Sequence, residues 1–222
     1  MIGVTIGVGS SDWTELAEIS ARRMARFTRL KCFVLGEDEV DQALGKRKGY
    51  EDIAWAKLKV FELFPQESMI LWFDADVIAL RPWDPLAMVH ESGWGSFHAV
   101  EEDSPTVQSE KETIGLPKVR PYVNMGLWMT GAEHAPVLQA AFKCYPKWHR
   151  WQEQSAANWA LYQHDVQIEV LPASYNDLRQ PGTDRASILN LASCQAVNVH
   201  LYSCGSDARR RLGLVRQMGW DV

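Results

Sequence analysis

The chain has 222 residues, of which 46% are hydrophobic and 23% charged, with a formal net charge of −5. This size and composition suit a globular protein with one sizeable core, and a second full domain would be cramped. The acidic balance argues against a general affinity for nucleic acid or anionic membrane, and no apolar stretch reaches the roughly 20 residues of a membrane span. Residues 2–8 are apolar but lack a preceding basic region and are too short for a signal peptide, so they read as a first strand. Cys32, Cys144, Cys194 and Cys204 show no metal-ligand or redox spacing, which fits reduced thiols in a cytoplasmic protein.

In chain order, Ile2–Val8 is β-branched and ends in Gly9-Ser10-Ser11-Asp12, where Ser11 or Asp12 can cap a helix with Leu16, Ile19, Ala21, Met24 and Phe27 on its apolar face. Cys32–Leu35 is a short second strand, Glu37–Gly49 a polar connection, and Asp52–Phe64 a helix stopped by Pro65. Met69–Phe73 is the third strand. Strand–helix–strand–helix–strand order implies a parallel, three-layer α/β arrangement with ligands outside the carboxyl ends of the strands. Further on, Gly95–Val100 is a strand, and polar Glu101–Arg120 reads as a mobile loop or lid. Val123–Thr130 is a strand broken by Asn124 and Gly126. Helices near Ala132–Cys144 and Trp151–Tyr162 follow, then strands at Val166–Leu171 and Ala196–Leu201 and a basic helix at Asp207–Gln217. Its run Arg209-Arg210-Arg211 reads as a solvated face rather than a phosphate site. Most of the ten tryptophans are expected in the core, although several flank polar motifs where aromatic faces line sugar or base sites.

The sharpest chemical signal is Met69-Ile-Leu-Trp-Phe-Asp-Ala-Asp-Val-Ile-Ala-Leu80, an apolar run carrying Asp74 and Asp76 one residue apart. Two ionised carboxylates in such a run are costly to desolvate unless a cation or dense hydrogen bonding compensates them. A divalent ion with a preference for hard oxygen ligands, Mn²⁺ or Mg²⁺, is the simplest compensator and would in turn hold a phosphate. His200, at the end of Ala196-Val-Asn-Val199, is either a hydrogen-bonded structural residue or a third ligand. Asn124 and Gly126 are either a satisfied β-bulge or a place where a ligand meets the backbone. Glu153 and Gln154 open a helix, where such residues serve as caps or meet a substrate. Asn176 most simply serves its own turn.

Taken in order, these elements resemble the retaining sugar-nucleotide glycosyltransferases of the GT-A fold, in particular the glycogenin and galactosyltransferase-like group of glycosyltransferase family 8. The shared pieces are a strand into Asp-x-Asp, a later Asn-x-Gly, an acidic-Gln pair opening a helix, Leu171-Pro-Ala-Ser-Tyr-Asn176, and a late histidine; they run from about residue 3 to residue 205. Trp55-Ala-Lys-Leu-Lys59 ahead of the aspartates is also similar to plant-type and fungal galactosyl- and xylosyltransferases, where that lysine faces the nucleotide.

The resemblance implies one GT-A domain over residues 1–222 with a mixed, mostly parallel sheet flanked by helices. Residues 1–100 would form its nucleotide-binding half and 101–222 the half for donor sugar and acceptor. It implies a hexosyl- or pentosyltransferase moving a sugar from a nucleoside diphosphate sugar, a UDP-sugar, to an unidentified acceptor hydroxyl. Asp74, Asp76 and His200 would hold Mn²⁺ or Mg²⁺. Thr5, Gly7 and Val8, with Lys57, Asp74 and Ala75, would contact the nucleotide. Asn124 and Gly126 would border the donor sugar, and Gln154 and Glu153 would lie near the reacting centre.

The chain departs from the group at Ser155, where a second acidic residue is usual. It departs again after Gly205, where Ser206-Asp-Ala-Arg-Arg210 replaces the segment bearing a diphosphate-binding lysine. Arg209 or Arg210 is the substitute cation nearest in sequence. Two other functions stay open on the sequence alone: a nucleotidyltransferase, disfavoured because Gly7-Val-Gly-Ser-Ser-Asp12 has no Lys or Arg, and a non-catalytic nucleotide-sugar-binding module.

Overall fold

The computed structural model describes residues 1–45, 50–145, 152–177, 196–201 and 207–221. Strand β1 (Ile2–Ile6) is flanked by parallel partners, β2 (Cys32–Leu35) and β3 (Met69–Phe73). Next comes β6 (Val123–Gly131), antiparallel to β3, then β5 (Phe97–Glu101), antiparallel to β6, and β7 (Ile168–Leu171), parallel to β5. The six-stranded order is therefore β2-β1-β3-β6-β5-β7, mixed and mostly parallel, with β6 as the reversed member. A separate two-stranded antiparallel ribbon joins β4 (Val77–Ala79) to β8 (Asn198–His200). No helix among the described residues is long and apolar enough to cross a membrane.

Every residue of β3 is buried because both faces of the sheet are covered. Alternation along the strand sends Ile70 and Trp72 into one layer with Trp55, Leu58, Leu138 and Ala156. Met69, Leu71 and Phe73 go to the other layer, with Ala21, Met24 and Val77. Trp72 lies opposite Trp128 on β6, their rings stacked at 6.1 Å, and Phe97 extends the stack at 5.4 Å. Helix α1 (Ser11–Thr28) covers the second layer. The first layer carries α2 (Glu37–Leu44), α6 (Ala135–Phe142) and α7 (Gln152–Gln163).

Helix α1 is capped by Ser10, whose hydroxyl accepts from the Trp13 N–H at 3.3 Å, rather than by Ser11 or Asp12. Residues 37–44 of the expected polar connection form α2, with Glu39 accepting from the Gly36 N–H at 3.0 Å. The expected helix over Asp52–Phe64 is wound as 3₁₀ from Tyr50 to Lys59, with one α turn, α3 (Val60–Leu63). Threefold winding stacks residues three apart. It aligns Trp55, Leu58 and Phe61 toward the core and Ala54 and Lys57 toward the cavity described below.

The segment Glu101–Arg120 is not an open lid. After α4 (Pro85–Ser92) and β5 it forms α5 (Pro105–Thr113), capped by Ser104. Val107, Ile114, Leu116 and Tyr122 build their own small core, and Glu110 accepts from Ser155 Oγ at 2.6 Å. The last helix, α8 (Ala208–Gln217), is capped by Asp207 and packs on α1. Trp151, Cys194, Cys204, Gly205 and Ser206 lie outside the described residues, as do residues 46–49 of the expected connection.

Candidate active site

Strand β3 ends at Phe73, and the Asp74 N–H continues the ladder by donating to Gly126 O at 2.7 Å. The Val77 N–H then donates to Asp74 O at 3.0 Å, closing a tight turn over Asp74–Val77. That turn feeds β4, whose Val77 pairs with His200 on β8. Two residues far apart in sequence thus meet through a ribbon three residues wide, and Leu201 N–H fixes the register by donating to Asp76 O at 3.0 Å. Asp74, Asp76 and His200 each present a ligand atom, all within 4.8 Å of one another.

These residues form one wall of a cavity of about 630 Å³ beyond the carboxyl ends of β1 and β3. Ile6, Val8, Trp13, Ile53, Ala54, Trp72 and Met125 supply its apolar lining. Lys57, Asp74, Ala75, Asp76, Glu102, Asn124, Gly126, Gln152, Glu153, Gln154, His200 and Arg211 supply the rest. Of the residues expected at a nucleotide site, Thr5 and Gly7 are not in the lining. Alternation gives the cavity Ile6 and Val8, leaving Thr5 fully buried and packing Gly7 against α1. A Cβ on Gly7 would stand 2.9 Å from both Ala17 Cβ and Val34 Cγ1, so this glycine serves helix–sheet packing.

The carboxylates of Asp74, Asp76 and Glu153 are paired with cationic side chains of the cavity. Asp74 Oδ1 accepts from Lys57 Nζ at 2.9 Å and from Trp72 Nε1 at 3.0 Å. Lys57 Nζ also reaches Met125 O at 3.2 Å and Glu153 Oε1 at 3.4 Å. Burial would lower the Lys57 pKa, but Asp74 and Glu153 outweigh it and hold the ammonium above its usual range. Burial raises the Glu153 pKa, and Asp74 adds to the effect against the pull of Lys57. Asp76 has Oδ1 3.3 Å from His200 Nε2 and Oδ2 2.6 Å from Arg211 Nη1. Burial would raise its pKa, yet His200 and Arg211 bring it down to about 2. The same contact, with help from Asp74, overcomes burial and raises His200.

The segment Val123–Gly126 is irregular. The β5–β6 ladder slips between Ala99–Trp128 and Glu101–Val123, so residues 124–127 of β6 have no register partner on that side. Side-chain amides serve this stretch instead. Asn158 Oδ1 accepts from Val123 N–H at 2.8 Å, Gln154 Oε1 from Met125 N–H at 3.0 Å, and Asn124 Oδ1 from Gly126 N–H at 2.8 Å. The amide groups of Asn124 and Gln154 both donate to Glu102 Oε2, at 2.8 and 3.2 Å. Asn176 is buried and donates to Asn124 Oδ1 at 2.9 Å, so it braces this network rather than only its own turn. At Gly126 a Cβ would stand 2.4 Å from His200 Cε1, which makes the glycine a seat for the imidazole.

Two charged lining residues, Glu102 and Arg211, are not anticipated by the sequence motifs. Glu102 belongs to the segment expected to be a lid, and Arg211 to the run expected to be a solvated face. Arg209 and Arg210 are exposed, and Arg209 sits 3.4 Å from Asp12, whereas Arg211 turns inward because its α8 position faces the ribbon. The available signal is helical phase: Arg211 lies three and four residues from Ala208, Leu214 and Val215, all buried.

No protein-family model matches the sequence, and no curated protein is detectably similar to it. The fold does have solved counterparts. A glycosyltransferase involved in glycosylation of the major capsid of PBCV-1 superposes with a TM-score of 0.63 at 13% identity, over 97% of this chain and 98% of its own. The galactosyltransferase LgtC, solved with donor and acceptor sugar analogs, gives 0.56 at 16% identity over 98% and 96%. Mouse xyloside xylosyltransferase 1 gives 0.57 at 12% over 90% and 96%. The chain therefore has the GT-A glycosyltransferase fold, as the resemblance in its sequence implied.

Proposed function

We propose that the chain is a metal-dependent glycosyltransferase that moves a sugar from a nucleoside diphosphate sugar, a UDP-sugar, to an acceptor hydroxyl with retention of configuration. The observation that carries this reading is the Asp74–Asp76–His200 cluster on the wall of the cavity beyond β1 and β3. Two carboxylates and an imidazole are a donor set suited to Mn²⁺, with Mg²⁺ the alternative. When bound, such an ion neutralises the leaving diphosphate.

The chain's own residues do the positioning. Ile6, Val8 and Trp13 offer apolar surface to the base and ribose, and Lys57 stands beside Asp74. Asn124, held by Glu102 and Asn176, borders the donor sugar with Gly126. Glu153 and Gln154 lie nearest the reacting centre, yet both are engaged: Glu153 with Lys57, and Gln154 with Met125 and Glu102. Glu153, the acidic residue nearest the reacting centre in this reading, is paired with Lys57 rather than free as a general base, which favours retention. The bond from the anomeric carbon to the diphosphate oxygen breaks, the acceptor oxygen bonds to that carbon, and its proton passes to the departing diphosphate.

Thermal unfolding with UDP, GDP and ADP, with and without Mn²⁺, tests the reading. Stabilisation by UDP that needs Mn²⁺ and disappears in Asp76→Ala is expected. UDP binding that ignores both the metal and the substitution would remove the metal site from the reading. An inverted anomeric product would remove retention.

A further inference from the structure

Arg211 stands where two requirements of a metal and diphosphate site conflict. Its Nη1 donates to Asp76 Oδ2 at 2.6 Å, and its guanidinium lies over the Trp13 ring at 5.1 Å from the centroid. The side chain is 10% exposed and lines the cavity. The other oxygen of Asp76 faces His200 Nε2 at 3.3 Å. Both oxygens of this carboxylate are therefore already held by protein donors. A divalent ion arriving at Asp76 meets a guanidinium on the same group, and the two cations repel each other across a short, buried distance.

A polyanion placed between them reverses that sign. A diphosphate can accept from the guanidinium fork and neutralise the metal together, and Arg is well suited to phosphate because its donors are planar and fixed. The face of Trp13 gives the guanidinium a surface along which to move from Asp76 toward the cavity without leaving an aromatic neighbour. The cation comes from α8, a capped helix packed on α1, and not from the exposed Arg209 or Arg210.

We propose that Arg211 holds Asp76 before the donor binds and transfers to the donor's diphosphate afterwards, so that divalent metal and nucleotide load together. This rests on the nucleotide-sugar reading above. It assigns Arg211 two opposite effects: it weakens binding of the metal alone and strengthens binding of the nucleoside diphosphate with the metal.

The test is Mn²⁺ binding followed by loss of the free-ion electron paramagnetic signal, together with calorimetric titration of UDP at saturating Mn²⁺. The proteins are wild type, Arg211→Gln, Arg211→Lys and, as a control on the same helix, Arg216→Gln, whose side chain pairs with Glu15 at the surface. In Arg211→Gln, Mn²⁺ alone should bind about tenfold more tightly and UDP with Mn²⁺ at least about tenfold more weakly, the scale of one charge-assisted hydrogen bond. Arg211→Lys should fall between the two, and Arg216→Gln should match wild type.

A purely structural arginine would move both affinities the same way, and that result, or no change in either, overturns the proposal. If Arg211→Gln does not fold, as read by near-ultraviolet circular dichroism, the lysine variant decides. It must bind Mn²⁺ alone more tightly and UDP with Mn²⁺ more weakly, and unchanged values overturn the proposal. If wild type binds no UDP with Mn²⁺, the nucleotide-sugar reading falls and this proposal with it; if wild type binds and the variants do not differ, only this proposal falls.

Discussion

Replacing Lys57 with Met tests how the buried charges of the cavity are held. The Lys57 side chain is 3% exposed, against 17% for Glu153 and 30% for Asp74. The substitution keeps most of the volume but removes the cation shared by both carboxylates. Breaking a buried ion pair by deleting one partner costs about 3–5 kcal/mol. Asp74 is partly solvated and keeps its Trp72 bond, so the lower end, about 3 kcal/mol, applies here. For a chain of this length that lowers Tm by about 6–12 °C. The variant leaves Glu153 buried beside Asp74 without its cation, so its carboxyl pKa rises further above the unfolded value. A raised carboxyl stabilises the fold at low pH and loses that contribution as pH climbs through its folded pKa. The deficit should therefore shrink as pH falls toward about 5. Lys57→Met/Glu153→Gln should recover part of the loss, because the remaining carboxylate has no buried like charge beside it. Circular dichroism melts of wild type, Lys57→Met, Glu153→Gln and the double variant across pH supply the measurement. A Tm within about 2 °C of wild type at neutral pH, or strictly additive single losses, would refute this account.

Gly126→Ala should displace the His200 ring, since the new Cβ would lie 2.4 Å from His200 Cε1; loss of the Mn²⁺-dependent part of UDP stabilisation in a thermal-shift assay checks it. His200 is raised above its ordinary value of 6.5 by Asp76 and Asp74 against the opposing effect of burial. Its stabilising charge is therefore fully present below that value and lost as pH rises through the raised folded pKa. Mn²⁺ affinity should climb over the same interval, because only neutral imidazole coordinates a metal. Melts of the metal-free protein and Mn²⁺ titrations from about pH 6 to about pH 9 should show these opposite slopes, and His200→Asn should flatten both. Glu102→Gln turns an acceptor of two amide donors into a group that is itself half donor. Transfer to any identified acceptor should fall by about tenfold while UDP affinity at saturating Mn²⁺ stays within about twofold, read by product formation and calorimetry.

The parts of this molecule that follow from the sequence are those set by period and by unusual polarity. The β3 run and its two carboxylates are legible because five apolar residues in a row form a strand buried on both faces, and Asp74 and Asp76 at its end then need a cation. The early strands and α1 follow from β-branching and helical spacing. What the sequence hides depends on phase or on distant partners. Thr5 and Gly7 are expected at the cavity if the end of β1 is treated as a unit, whereas alternation hands the cavity Ile6 and Val8. Helix α5 carries its own signals, Ser104 before Pro105, but its polar surface masks them. The reversal of β6 is not written locally, because an antiparallel member inside an α/β sheet depends on which neighbour a strand finds. Glu102 becomes part of the site only through the slip in the β5–β6 ladder, which joins it to Asn124 and Gln154.

Asp74 and Asp76 look, in the sequence, like an electrostatic cost awaiting a metal. The fold meets most of that cost from within: Lys57 answers Asp74, and His200 with Arg211 answers Asp76. The site can therefore stand folded before any ion arrives, which removes the usual penalty for an apo metal centre of buried acids. For the proposed metal site the consequence is competition, since an incoming divalent ion would gain only the difference between its own attraction to Asp76 and that of the guanidinium and imidazolium it meets. Affinity for the ion alone is held down by that exchange. A ligand that draws Arg211 away, or a pH that neutralises His200, restores it. In the proposed metal site, the internal pairs that hold the cavity together without an ion are thus the same ones that would make metal binding depend on the second ligand.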